Sequence, residues 1–223
     1  KTISSYLTKG DTIIVESTVY PGYCETIITK ILKKTNKRLI YNKDYFIGYS
    51  PERINPGDKK YKIENISKII AGSNLKTVNL LKNIYKKIIK AKLFIAKNIR
   101  VAEAAKVIEN TQRDINIAFV NELSYLFNRM NIRIDDVLDA ASSKWNFLNF
   151  KPGFVGGHCV AVDPYYLMDI SKKFGFDAKF LSRARSINEF FYKHVFQIIK
   201  LNLNKKSRIL IMGVTFKENC PDM

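Results

Sequence analysis

DTIIVEST, residues 11–18, is a short run of apolar and β-branched side chains between Lys9-Gly10 and Pro21-Gly22. A run of this length bounded by turn residues predicts a buried strand. The same signal recurs at YFIGYS (45–50), SKIIAGS (67–73) and LFIA (93–96). Between them, residues 24–34 can form a helix, and Leu80, Leu81, Ile84 and Ile88 repeat at a helical period within 75–89. Strands alternating with helices over 1–97 predict a parallel α/β sheet. Such sheets take their ligands at the carboxyl ends of the strands. Ser17-Thr18 and Pro51-Glu52-Arg53 stand at such ends, where they would serve equally well as plain strand-ending turns.

Residues 98–130 carry no Pro or Gly and place Val101, Ala104, Ala105, Ile108, Ile115, Phe119, Leu123, Leu126 and Met130 at apolar positions. One helix of this length runs ~50 Å, which predicts a spine between domains or subunits. Lys106 and Asn110 share one of its faces at i and i+4. That face is either solvated or turned to a site, and the small residues of Ala-Glu-Ala-Ala before Lys106 leave little bulk to hide it. Further helices are expected over 132–142, 165–174 and 178–201, the last with Arg183, Arg185 and Asn188. RILIMGV (208–214) then predicts a buried strand opening a new α/β unit, with Phe216 and Lys217 at its end. The organisation read from this is 1–97, the later part of one α/β domain; 98–204, a helical middle; and 205–223, the start of a second α/β domain. The chain reads as a fragment lacking both ends.

The chemistry concentrates in KPGFVGGHCVAVDPYYL, residues 151–167. Gly153, Gly156 and Gly157 precede a lone Cys159, and Asp163 follows with Pro164 behind it. Glycines permit positive φ and close approach of backbone to a ligand. The thiol then has a ligand to act on, and Asp163 can hold a water or accept a proton. The alternative is a glycine-rich turn with an inert cysteine.

Composition limits the function class. Lys and Arg number 38 against 20 Asp and Glu, a net charge of +18. The lysines are spread out with no aromatic-interleaved basic stripe, so a solvated surface or a phosphate-bearing small substrate fits better than nucleic acid. No apolar run is long enough to span a membrane. Cys24, Cys159 and Cys220 are odd in number and form no CxxC pair, which argues against a disulfide framework or zinc site and for a reducing cytoplasm. With two histidines a multi-His metal centre is not expected.

Five motifs occur in a fixed order: STVYPG (17–22), YSPERINPG (49–57), AEAAKVIENTQRDINIAFVNE (102–122), GFVGGHCVAVDPYYL (153–167) and ILIMGVTFKENCPD (209–222). Together they cover nearly the whole chain and resemble the UDP-glucose/GDP-mannose dehydrogenase family. YSPERINPGD, ENTQRDINIA and GGHC look closest to the UDP-N-acetylhexosamine 6-dehydrogenase branch, including the Vi-antigen type.

The resemblance implies an NAD-binding Rossmann domain, a central helical domain that dimerises, and a second Rossmann domain for the UDP end. It implies a cytoplasmic enzyme that oxidises a UDP-sugar 6-hydroxyl to the acid with two NAD+, for capsule or O-antigen synthesis. Cys159 matches the family nucleophile, which holds the aldehyde as a thiohemiacetal and then a thioester. Lys106 and Asn110 match the groups that steady the alkoxide and oxyanion. Asp163 and Thr18 match the pair that positions water, and Glu52 the glutamate of thioester hydrolysis; Thr18 and Glu52 also touch the cofactor. Substrate contacts carry over to Glu52, Arg53, Lys106, Asn110, Phe150, Lys151, Gly153, Phe154, Gly156, Gly157, Phe216 and Lys217. The chain departs from the UDP-glucose enzymes at Pro56, where a second glutamate is frequent, and at Val162, where a lysine is; both suit the N-acetylhexosamine branch. No G-x-G-x-x-G occurs in the chain. UDP-glucose and UDP-N-acetylmannosamine are the alternative substrates. A cysteine hydrolase pairing Cys159 with His158 or His194 is the reading from another class, and adjacent residues of an extended loop point apart.

Overall fold

The structure is a computed structural model and describes residues 2–52, 61–204 and 206–212. The chain forms two compact units, Lys1–Val107 and Ile108–Met223. The break falls later than the 97/98 boundary read from the sequence, because the first turns of the long helix bury Ile99, Ala102 and Glu103 with the first unit.

The first unit is built on a four-stranded sheet, order β1 (Thr12–Val15), β2 (Phe46–Tyr49), β3 (Lys68–Gly72), β4 (Leu93–Ile95). The strands alternate in burial as period-2 chains must. Ile13, Val15, Ile47, Tyr49, Ile69 and Ala71 face a layer containing Leu7, Cys24, Leu32, Ala96 and Ile99. Ile14, Ile70 and Leu93 face the other way, onto Leu81, Tyr85 and Ile89. Helix α1 (Thr2–Tyr6), a π-helical segment Cys24–Ile28 running into α2 (Thr29–Thr35), and α3 (Leu75–Tyr85) complete the unit. Asn74 caps α3 by accepting from the Thr77 N–H at 2.9 Å.

One expectation is corrected here. β1/β2 and β3/β4 are parallel, but β2/β3 is antiparallel, with Gly48 opposite Gly72. An added Cβ at Gly48 would stand 2.7 Å from Leu81 Cδ1, and one at Gly72 2.9 Å from both Thr77 Cβ and the Val78 nitrogen. The bare pair lets α3 seat directly on the sheet beside the reversal. Strand pattern reports burial and period, not direction.

In the second unit the long helix α4 (Ile99–Arg129) continues and ends where Asn131 takes a positive φ of 56°. Helices α5 (Ile134–Ser142), α6 (Asp163–Lys173) and α7 (Lys179–Leu201) follow. The buried face of α4 is largely polar: Asn110, Thr111, Asp114, Asn121 and Ser124. Much of the apolar stripe read from the sequence points outward instead, with Ile108, Phe119 and Leu126 each about half exposed. The strand expected at RILIMGV is not formed over its described part: residues 208–212 have no strand partner, and Leu210, Ile211 and Met212 are more than four-fifths exposed. An apolar run becomes a strand only with a neighbour to complete its backbone hydrogen bonds.

Candidate functional site

In the first unit, Thr18 and Glu52 follow the carboxyl ends of the parallel pair β1 and β2. The Glu52 N–H donates to the Glu16 carbonyl at 3.2 Å, and the Ser50 N–H to the Val15 carbonyl at 3.0 Å, so the two strand ends stay bonded past the ladder. Thr18 is half-buried and Glu52 exposed. Lys68 supports this edge. As first residue of the antiparallel β3 it lies beside the end of β2, and its ammonium donates to the Ser50 and Pro51 carbonyls at 3.3 and 3.4 Å. It also pairs with Glu16 at 3.4 Å and lies over the Tyr85 ring, whose hydroxyl donates to Glu16 at 2.6 Å. Burial and this bond to Glu16 push the Tyr85 hydroxyl up, so it is protonated and acts as a donor. Arg53, beside Glu52, lies outside the described residues, as do Phe216 and Lys217.

The segment after β1 is fixed to α4. Glu103, fully buried, accepts from the Gly22 N–H at 2.5 Å and the Cys24 N–H at 2.9 Å. These are donors at a helix start, where a carboxylate is favoured. Desolvation nevertheless pushes the Glu103 carboxyl up. Three residues on, Lys106 is 6% exposed, which removes the solvated-face reading for it.

In the second unit the cysteine loop leads from Phe150 to α6. Gly157 has φ +81°, the conformation expected of a loop glycine, whereas Gly153 and Gly156 do not and have open space where a Cβ would stand. Phe150, Gly153 and Gly157 are half-buried, while Lys151, Phe154, Gly156 and His158 are exposed. Cys159 is exposed, and its carbonyl accepts the Val162 and Asp163 N–H groups at 3.0 and 2.9 Å, forming the turn into α6. Asp163 and Pro164 open that helix, as an acidic residue and a proline in the first turn favour. Asp163 is 1% exposed, and its Oδ2 accepts from Asn110 Nδ2 at 2.6 Å. The structure therefore brings together Asn110, Asp163 and the Cys159 backbone. His194 is buried on α7 and stacks on Tyr125 at 4.0 Å; burial lowers its pKa.

A buried polar group absent from the sequence reading of the site joins α4 to α7 and to the loop. Asn121, Asp114, Arg185 and Asn188 are each at most 5% exposed. The Asn121 side chain pairs with both backbone groups of Gly153: its Nδ2 donates to the Gly153 carbonyl at 3.0 Å, and its Oδ1 accepts the Gly153 N–H at 2.8 Å. The signal was present as spacing. Glu103, Asn110, Asp114 and Asn121 recur at seven- and four-residue steps, which is a face of a helix.

No group of three or more His, Cys, Asp or Glu side chains among the described residues is arranged to hold a metal ion. No described helix is long and apolar enough to cross a membrane.

Residues 1–89 match the NAD binding domain of the UDP-glucose/GDP-mannose dehydrogenase family and residues 100–190 its central domain, and the chain belongs to that family. It is 49% identical over its whole length to UDP-N-acetyl-D-glucosamine 6-dehydrogenase of Salmonella typhi, and 48% to that of Pseudomonas aeruginosa. In each case it covers 54% of the relative, so the chain spans about half the length of these curated relatives. Among solved structures, UDP-D-ManNAc dehydrogenase of Pyrococcus horikoshii superposes with a TM-score of 0.81 at 30% identity, over 93% of this chain and 50% of that one.

Proposed function

We propose that the protein containing this chain is an NAD-dependent UDP-sugar 6-dehydrogenase acting on UDP-N-acetylglucosamine, with Cys159 as its nucleophile. The observation that carries the reading is the 49% identity across the full chain to enzymes of that name. The geometry supports it: an exposed thiol at the start of α6, one turn before a buried carboxylate held by Asn110.

The carboxyl edge of β1 and β2, with half-buried Thr18 and exposed Glu52 on bonded strand ends, fits one side of a dinucleotide such as NAD. NAD, when bound, accepts the electron pairs of the two oxidations at C6. The chain's own residues do the rest. The Cys159 sulfur adds to the C6 aldehyde, its proton leaving to a base, and makes that carbon tetrahedral for the second oxidation. The product of that oxidation is a thioester, which water cleaves to the acid and the free thiol. Lys106 and Asn110 are the donors for the C6 oxygen as it gains charge, each worth ~3 kcal/mol in the transition state. Asp163 orients the water and takes its proton, with Thr18 as partner, and Glu52 assists hydrolysis. Arg53, Phe150, Lys151, Gly153, Phe154, Gly156, Gly157, Phe216 and Lys217 make up the proposed sugar-nucleotide contacts. The enzyme works in the cytoplasm as a homodimer through the central helix and serves capsule or O-antigen polysaccharide synthesis.

The test is NADH release by the full-length protein with UDP-N-acetylglucosamine, its galactosamine epimer, UDP-N-acetylmannosamine and UDP-glucose. UDP-N-acetylmannosamine is the second reading, because solved relatives such as the Staphylococcus aureus enzyme Cap5O bear that name at 32% identity and TM-score 0.77. Cys159→Ser is expected to stop acid formation while UDP-sugar binding persists. Normal turnover in that variant refutes the thioester route.

A further inference from the structure

The loop that carries Cys159 is gripped at both ends by asparagines of one helix. At its far end Asn110 Nδ2 donates to Asp163 Oδ2 at 2.6 Å. At its near end Asn121 takes both backbone groups of Gly153, as a neighbouring strand would. The direction of the Asn121 amide is fixed by its partners: the Gly153 N–H can only donate and its carbonyl can only accept. The same Nδ2 also donates to Asn188 Oδ1 at 2.8 Å. Asn188 in turn donates through its Nδ2 to the Asp114 carbonyl at 2.9 Å and to Asp114 Oδ1 at 2.7 Å. Arg185 Nη1 donates to that same Oδ1 at 2.5 Å. Flipping the Asn121 amide would therefore break several buried bonds at once, each leaving an unsatisfied group that costs ~1–3 kcal/mol.

The segment between the two anchors is longer than the stretch of helix it bridges. Residues 110 and 121 are separated by ~16 Å of helix rise. The backbone from Gly153 to Asp163 can extend to roughly twice that. Phe154, His158 and Cys159 are exposed on this segment. Phe154 also sets its ring edge-on to Phe191 of α7 at 5.9 Å, next to the Gly153 anchor.

We propose that Asn121 is a positioning residue for the Cys159 thiol. It acts through Gly153, and Asn188 with the Asp114–Arg185 pair sets the direction of its amide. The proposal rests on the reading of Cys159 as nucleophile. A nucleophile displaced by ~1 Å loses about 100-fold in rate, so an anchored loop has a catalytic consequence that a merely folded one lacks.

Two measurements on the full-length protein test it: amide hydrogen exchange over 150–160, and kcat and KM for UDP-N-acetylglucosamine. In Asn121→Ala the Gly153 amide is expected to exchange at least tenfold faster while α4 keeps its protection. The kcat is expected to fall by about 100-fold, with KM changed less than threefold. Where Asn121→Ala fails to fold, the near-isosteric Asn121→Leu, which fills the same space but neither accepts from the Gly153 N–H nor donates to its carbonyl, carries the same test. Unchanged exchange at Gly153 overturns the tether. Faster exchange with unchanged kcat reduces Asn121 to a structural residue and overturns the positioning role. An inactive wild type defeats the enzymatic reading instead, and the exchange result then still decides whether the tether exists.

Discussion

Glu103 has no exposed atom, and the bonds assigned to it are two backbone N–H groups and the Cys24 thiol, with no cation among them. Its raised pKa has a definite sign for stability. The folded state holds this proton more tightly than the unfolded chain, so the group's contribution is fully present below the ordinary value of 4.5 and is lost as pH rises through the folded value. Glu103→Gln removes that loss but cannot satisfy both donors, since its NH₂ faces one of them. The variant is expected to be less stable by ~1–3 kcal/mol at pH 5 and to show a flatter fall of Tm from pH 5 to 8. Melting curves over that range check it; identical slopes would mean the carboxyl titrates normally. Legibility at this scale was uneven. Cys159, Asp163, Asn110 and Lys106 stood out because motif order and composition mark them. Glu103, Asp114 and Asn121 did not, and Arg185 and Asn188 were marked only as residues of a helix with no role, because a polar side chain in a helix looks solvated until the partner that buries it is known.

Among elements, strands and helices were legible to within a few residues wherever apolar runs met turn signals, as at 11–18, 45–50 and 75–89. The direction of β3 was not, because a five-residue strand has the same pattern read either way. The reversal matters at the edge of the sheet: it is what brings Lys68 to the Ser50 and Pro51 carbonyls. It is also what sets Gly48 against Gly72 under α3. A Cβ at Gly48 meets the end of one Leu81 side chain, whereas one at Gly72 meets Thr77 Cβ and the backbone of the first turn of α3. Gly72→Ala is therefore expected to destabilise the chain by ~2–3 kcal/mol and Gly48→Ala by less, since a Leu rotamer yields more readily than backbone. Urea unfolding of the two variants checks the order. Equal costs would mean the helix shifts as a body.

For the whole molecule, the sequence placed an apolar stripe on α4 and read it as a spine. The structure leaves Ile108, Phe119 and Leu126 half exposed there, and Phe180, Phe190 and Phe196 comparably exposed on α7, over an interior rich in hydrogen-bonded polar groups. Apolar side chains exposed on α4 and α7 are what the proposed homodimer would cover. The proposed homodimer predicts that sedimentation of the full-length protein at micromolar concentration gives a dimer, and that Phe119→Asp lowers its association by at least tenfold. A wild-type monomer under those conditions excludes the spine reading.

The bonds that Glu103 makes to Gly22 and Cys24 also bear on how the first unit opens. Cys24 is fully buried, and desolvation together with Glu103 pushes its thiol far above the ordinary range. Alkylating reagents consume thiolate, so this sulfur is silent while the first unit is closed and reacts only during excursions that break those bonds. The exposed Cys159 is open to the reagent throughout, and mapping the labelled peptides separates it and Cys220 from Cys24. The slow uptake at Cys24 then reads the opening equilibrium of the first unit directly, a native clock for its breathing that requires no introduced probe.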